Sequence, residues 1–187
     1  MAIVAGDISF WLTGAASDGA AQADPNASLG GFRSSTQITT GVLNNLWDNT
    51  TGAEAAAGDT EYRCVCIRND HATLLLTEAT VFMAATGNAQ IVVSFAVEVP
   101  TTSDTTGSCQ TIVNESTTPT VNSGNCGNWS TATTYATGQT LAINAHDDDL
   151  GVGEIVFVWL RRVVAAGATA VNSEDHYIYI TGNTLSA

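Results

Sequence analysis

The sequence predicts an all-β fold, an antiparallel β-sandwich of Ig-like or jelly-roll-like type, with an irregular N-terminal arm. Three observations lead there. From residue 60 onward the chain carries short runs rich in β-branched and aromatic residues, which suit a pleated, half-buried surface. Thr, Asn, Gly and Pro separate these runs and supply turn chemistry. Charged residues are 12% of the 187 and apolar residues 44%. The charged share is about half the usual one and the apolar share is ordinary, so the chain can close its own core and is not disordered by composition.

The arm is assigned to residues 1–58. Ile8-Ser9-Phe10-Trp11-Leu12 is a short strand candidate, and residues 18–31 are rich in turn formers around Asp24-Pro25-Asn26 and Gly30-Gly31. Val42, Leu43, Leu46 and Trp47 fall at one-turn spacing and predict a short helix. Gly52–Gly58 predicts another helical turn between glycines.

The β domain is assigned to residues 59–187. Tyr62–Arg68 alternates, Thr73–Met83 is apolar with a break near Thr77-Glu78, and Gln90–Val99 is a strong strand pattern. Thr140–Ala145 is a short candidate, and His176–Thr181 alternates. Glu154–Val164 is apolar on both faces and is expected to be central, with Trp159 buried. Residues 100–138 form a long Thr/Ser/Asn-rich excursion, expected to hide a hairpin or make an exposed tip.

Eighteen acidic residues oppose five arginines, there is no lysine, and the net charge is −13. Phosphate binding needs clustered cations, so nucleic acid is excluded as a partner, and anionic membrane surfaces are disfavoured. No apolar run approaches the roughly 20 residues of a membrane helix. Met1–Asp7 lacks the basic and apolar regions of a secretion signal, so the product is expected to be made in the host cytoplasm.

No catalytic residue, metal ligand or cofactor site is assigned. His146-Asp147-Asp148-Asp149 lacks calcium-loop spacing and reads as a solvated acidic turn. Neither a nucleophile elbow nor a phosphate-binding glycine loop is present. Cys64 and Cys66 share one strand face and read as buried free thiols. Cys109 and Cys126 flank turn-rich chain and are candidates for a disulfide, against which synthesis in a reducing compartment counts. Arg162 follows Arg161 at a strand end, reading either as emergence into solvent or as one side of an intersubunit ion pair.

Several strings resemble one family. Asp24–Gly31 (DPNASLGG), Leu43–Asp48 (LNNLWD), Gly52–Cys64 (GAEAAAGDTEYRC) and Ile67–His71 (IRNDH) resemble structural proteins of tailed bacteriophages and prophages. Gln110–Pro119 (QTIVNESTTP), Val158–Val163 (VWLRRV) and Ala166–Ala168 are similar to the same family's second half. Cys109, Cys126 and the loop around them depart from it. The resemblance implies a β-rich virion component with no catalytic residues. The task expected is capsid decoration, cementing the head by binding the phage major capsid protein and a trimer of itself on the capsid surface. The residues expected at the interface are Phe10, Trp11, Asp24, Pro25 and Asn26, with Leu29, Phe32, Trp47 and Arg162. A tail or head-fibre subunit is the first alternative. The second is an Ig-like carbohydrate-binding or adhesion module, with Trp129 and Tyr135 stacking on sugar.

Overall fold

A computed structural model describes residues 2–84, 89–169 and 176–186. Among the described residues the strands are β1 (Ile8–Ala15), β2 (Gly30–Gln37), β3 (Asp59–Asn69), β4 (Leu74–Met83) and β5 (Ile91–Glu98), followed by β6 (Ser108–Thr111), β7 (Gln139–Thr140), β8 (Ile155–Val164) and β9 (Ile178–Ser186). One short helix, α1 (Gly52–Ala57), is closed by a capping box in which Thr51 and Glu54 satisfy each other's backbone N–H.

The strands form two antiparallel sheets. The larger has the order β5-β8-β3-β1-β2-β6, the smaller β7-β4-β9. They pack face to face, as expected of a β-sandwich. Val65, Ile67, Phe95, Val97, Val156 and Val158 of the large sheet meet Leu76, Ala79, Val81 and Met83 of the small one. The break expected near Thr77-Glu78 is a register shift in the β4–β9 pairing, with Glu78 at φ 53°. The strand expected over Thr140–Ala145 is reduced to β7.

The structure departs most from expectation in the arm. β1 is hydrogen-bonded to β3 from Ile8↔Asn69 to Leu12↔Val65, and β2 to β1, so a boundary at residue 58 would cut through the large sheet. β1 belongs there because it alternates: Phe10 and Leu12 pack toward the inter-sheet core, Trp11 toward the opposite face. β2 (GGFRSSTQ) has no apolar period and is placed by close approach. Gly30 sits at φ 86°, and a Cβ there would lie 2.8 Å from a Trp159 ring carbon and 1.9 Å from the Gln110 carbonyl oxygen. Only glycine meets both the backbone angle and the contact. The helix expected at residues 42–47 is absent. Asn44 takes φ 58°, Val42 and Leu43 are exposed, and Leu46 alone is fully buried, at the end of the core.

The excursion over 100–138 is neither a simple hairpin nor a projecting tip. It contributes β6, and its residues Cys109, Ile112, Val121, Cys126 and Trp129 pack on the outer face of the large sheet, against Cys64, Cys66, Ala96, Phe157 and Trp159. Residues 126–130 also bridge to β5, at Glu98↔Cys126 and Phe95↔Ser130, which covers that sheet edge. Trp159 is completely buried in this second core, as expected, and its indole N–H donates to Glu98 Oε2 at 2.7 Å. The same carboxylate accepts from the Gln110 backbone N–H at 2.8 Å and from Gln110 Nε2 at 2.7 Å. One buried acid thus ties β5, β8 and β6 together.

Two outcomes follow for stability. Trp159→Ala is expected to cost about 3–5 kcal/mol, read by denaturant titration; a melting temperature within a degree or two of the parent would contradict the packing. Deleting residues 1–35 removes β1 from between β3 and β2 and is expected to abolish cooperative unfolding in calorimetry, whereas a retained transition would show that the arm is dispensable.

Candidate interaction surface

Most residues expected at an interface are occupied within the chain. Asp24 accepts the Asn26 N–H at 3.0 Å at the head of a 3-10 turn, Pro25–Ala27, and Asn26 Oδ1 in turn accepts from Arg63 Nη2 at 2.7 Å. Trp11 lies under the Arg33 guanidinium, 5.2 Å from its ring centroid, and donates to Ser9 Oγ at 2.6 Å. Leu29 packs on the outer core. Phe32 is half-buried in β2, opposite Ser108 of β6. Phe10 alone among the aromatic residues of this set lines an open groove.

Arg162 is neither solvated at a strand end nor left for a neighbouring subunit. It is buried, with Nε donating to Glu61 Oε2 at 2.7 Å, Nη2 donating to the same carboxylate, and Nη1 donating to the Asp48 carbonyl at 2.9 Å. Its guanidinium carbon lies 4.9 Å from the Trp47 ring centroid, and that of the fully buried Arg63 lies 5.3 Å from the same ring. Arg63 also pairs with Glu115 at 2.6 Å. Trp47, read as an interface group, therefore caps the core through two cations. Burial pushes the Glu61 carboxyl above its ordinary range, and its pairing with Arg162 opposes this without cancelling it.

Trp129 does not project as a sugar platform. Its ring lies 5.8 Å from Tyr62 and 4.9 Å beneath Arg161, which also donates to Ser94 Oγ at 3.0 Å. Tyr135 is exposed, and its hydroxyl donates to the Glu78 carbonyl at 3.2 Å. His146 Nδ1 lies 2.7 Å from the Asp147 carbonyl oxygen, and among the described residues no group of His, Cys, Asp and Glu is placed to hold a metal ion. The four cysteines are buried and free. Cys109 and Cys126, the candidates for a disulfide, are not joined; the Cys109 sulfur lies 3.7 Å from that of Cys64. No helix among the described residues is long and apolar enough to cross a membrane.

The small sheet, by contrast, has one covered face. Along β9, Ile178 and Ile180 pack inward, while Tyr179, Thr181, Asn183 and Leu185, and Tyr177 just before the strand, are exposed. Tyr179 stacks on Phe82 of β4, with ring centroids 5.2 Å apart and planes 19° from parallel. Leu185 faces Leu75 in the strand pairing. β9 is an edge strand and contains no charged residue. Beside it runs a groove of about 710 Å³, walled by β9, by Ile3, Val4 and Phe10, and by Ile38. Phe82, Tyr177, Tyr179 and Leu185 were not singled out in the sequence. The available signal was the tyrosine at every second position of His176–Thr181, which places aromatic groups on the face opposite the isoleucines.

The Arg162–Glu61 pair makes two measurable demands. Arg162→Met leaves Glu61 buried without its partner and is expected to cost about 3–5 kcal/mol in chemical denaturation. Since the Glu61 value is higher folded than unfolded, the folded state holds this proton more tightly. Its contribution to stability is present at low pH and is lost as pH rises through the raised value. The stability of the wild type relative to Glu61→Gln should therefore fall as pH rises from the ordinary carboxylate range through the raised value; a relative stability that climbs with pH there would mean the carboxyl is depressed instead.

Compared with known proteins, the chain matches no family model, no curated protein and no solved structure.

Proposed function

We propose that this chain is a structural virion protein of a tailed bacteriophage. It decorates the capsid surface, binds the major capsid protein lattice through the outer face of the small sheet, and stabilises the head. The observation that carries this reading is the contrast between that face and the rest of the chain. At net charge −13, copies displayed side by side repel one another and stay soluble. β9 carries no charge and exposes Tyr179 and Leu185, with exposed Tyr177 just before it, the kind of apolar patch that marks an interaction site. An edge strand also offers unpaired backbone groups to a partner strand. The quoted strings around Asp24, Trp47 and Trp159 supply the virion context, in which a trimer at a lattice symmetry axis multiplies a modest single-site affinity.

The test is localisation in the particle by cryo-electron microscopy, coupled to a binding assay on undecorated heads. Density on the head lattice, at hundreds of copies by quantitative mass spectrometry, is the expected result. Density confined to the tail or to a few fibres would replace this reading with a tail or head-fibre subunit. Tyr177→Asp, at an exposed position outside the Phe82–Tyr179 stack, is expected to weaken head binding at least tenfold with the melting temperature unchanged. Full binding by that variant would remove the small sheet from the contact.

A further inference from the structure

The outer core gathers all four cysteines on one side of the large sheet: Cys64 and Cys66 from β3, Cys109 from β6, and Cys126 from the chain bridged to β5. Only one pair among them is in sulfur–sulfur contact. Cys64 Sγ and Cys109 Sγ are 3.7 Å apart, and the two residues are separated by 45 positions in sequence. From this geometry we infer that Cys64 and Cys109 are a latent disulfide, which closes on oxidation and staples the edge strand β6 to β3 inside the sheet.

A disulfide has an S–S distance of about 2.05 Å, so the two sulfurs must approach by about 1.6 Å. β6 is four residues long, lies at the sheet edge, and pairs with β2 only at Gly30↔Thr111 and Phe32↔Ser108, with an irregular register between. Short edge elements open locally at far lower cost than the whole fold. With β6 in place the pair is shut away, since Cys64 is completely buried and its thiol is pushed up by that burial. Exchange therefore awaits the opening of β6.

The oxidant is a small disulfide such as oxidised glutathione. In the open state the Cys109 thiol loses its proton to water, and its sulfur attacks the small disulfide. One glutathione leaves as thiolate, and a mixed disulfide forms on Cys109. As β6 closes, Cys64 is deprotonated and its sulfur displaces the second glutathione from Cys109. Two protein thiols and one small disulfide become one protein disulfide and two small thiols. In a reducing cytosol the pair stays open, and in an oxidising exterior it closes. The inference does not depend on the proposed function, because it concerns only the redox state around the chain.

The experiment equilibrates the full chain with oxidised glutathione, blocks remaining thiols with N-ethylmaleimide under denaturing conditions, and maps linkages by fragmentation of non-reduced digests. The expected result is a Cys64–Cys109 link with Cys66 and Cys126 alkylated. The melting temperature should rise by roughly 5–15 °C, as expected for closing a loop of this size in a domain of this length, and dithiothreitol should reverse the rise. Cys126→Ser should keep the link, and Cys109→Ser should lose it. A Cys109–Cys126 link, or four alkylated cysteines after equilibration, overturns the inference, and mapping of the wild type decides this even if a variant fails to fold.

Discussion

From Ile155 to Leu160, every side chain of β8 is buried, alternating between two separate cores. Val156, Val158 and Leu160 face the small sheet, while Ile155, Phe157 and Trp159 face the other way. A strand with no solvent face obliges the sheet around it to be covered twice. The small sheet supplies the first cover. The second comes from chain that, by composition, looks like loop. It serves because few of its residues need to be apolar, and its polar side chains satisfy its own backbone. Asn114 Oδ1 accepts the Ser116 N–H at 3.1 Å, Gln110 Oε1 accepts the Thr120 N–H at 2.7 Å, and Gln139 Oε1 reaches across to the Val97 N–H at 2.9 Å. Backbone groups are thereby paired without a regular ladder.

Charge is handled by the same logic of cover. With five arginines and eighteen acids, most carboxylates are left to solvent, and one arginine goes where a carboxylate cannot be solvated. Arg162 neutralises Glu61 at the mouth of the inter-sheet core, and Trp47 closes the site from above. Glu98, deeper still, is held by neutral donors alone. The layering also leaves the molecule one-sided. The large sheet is enclosed, and the outer face of the small sheet, with its Phe82–Tyr179 stack, is not. That asymmetry favours a contact surface there and not among the arm residues.

Strands with strong local texture could be read in the sequence. Tyr62–Arg68, Gln90–Val99 and Glu154–Val164 lie within or nearly coincide with β3, β5 and β8. The irregularity at Thr77-Glu78 was also legible, because a glutamate in an apolar run must find solvent. β2 was not legible. Its place depends on Gly30 fitting against Trp159, a contact across 129 positions that no local pattern encodes. For the same reason the arm read as detachable: Phe10, Trp11 and Trp47 are large apolar groups whose cover comes from β3, β8 and three arginines. The contact between Cys64 and Cys109 was hidden in the same way. Spacing suggested Cys109 with Cys126, whereas the curl of β6 over the outer face brings Cys109 to Cys64. The open face of β9 was half visible, since alternation places Tyr177 and Tyr179 together but cannot say which side is covered.

The excursion over 100–138 is a structural layer of the fold, and amide hydrogen exchange tests this most directly. The N–H groups of Ile112, Gly127 and Ser130 donate to the carbonyls of Leu29, Val97 and Phe95. They should exchange far more slowly than unstructured chain, Gly127 and Ser130 opening together with β3 and β8, and Ile112 with the local opening of the neighbouring edge strand β6. Exchange of these three amides at the rate of unstructured chain, while β3 and β8 stay protected, would contradict the two-sided cover of the large sheet.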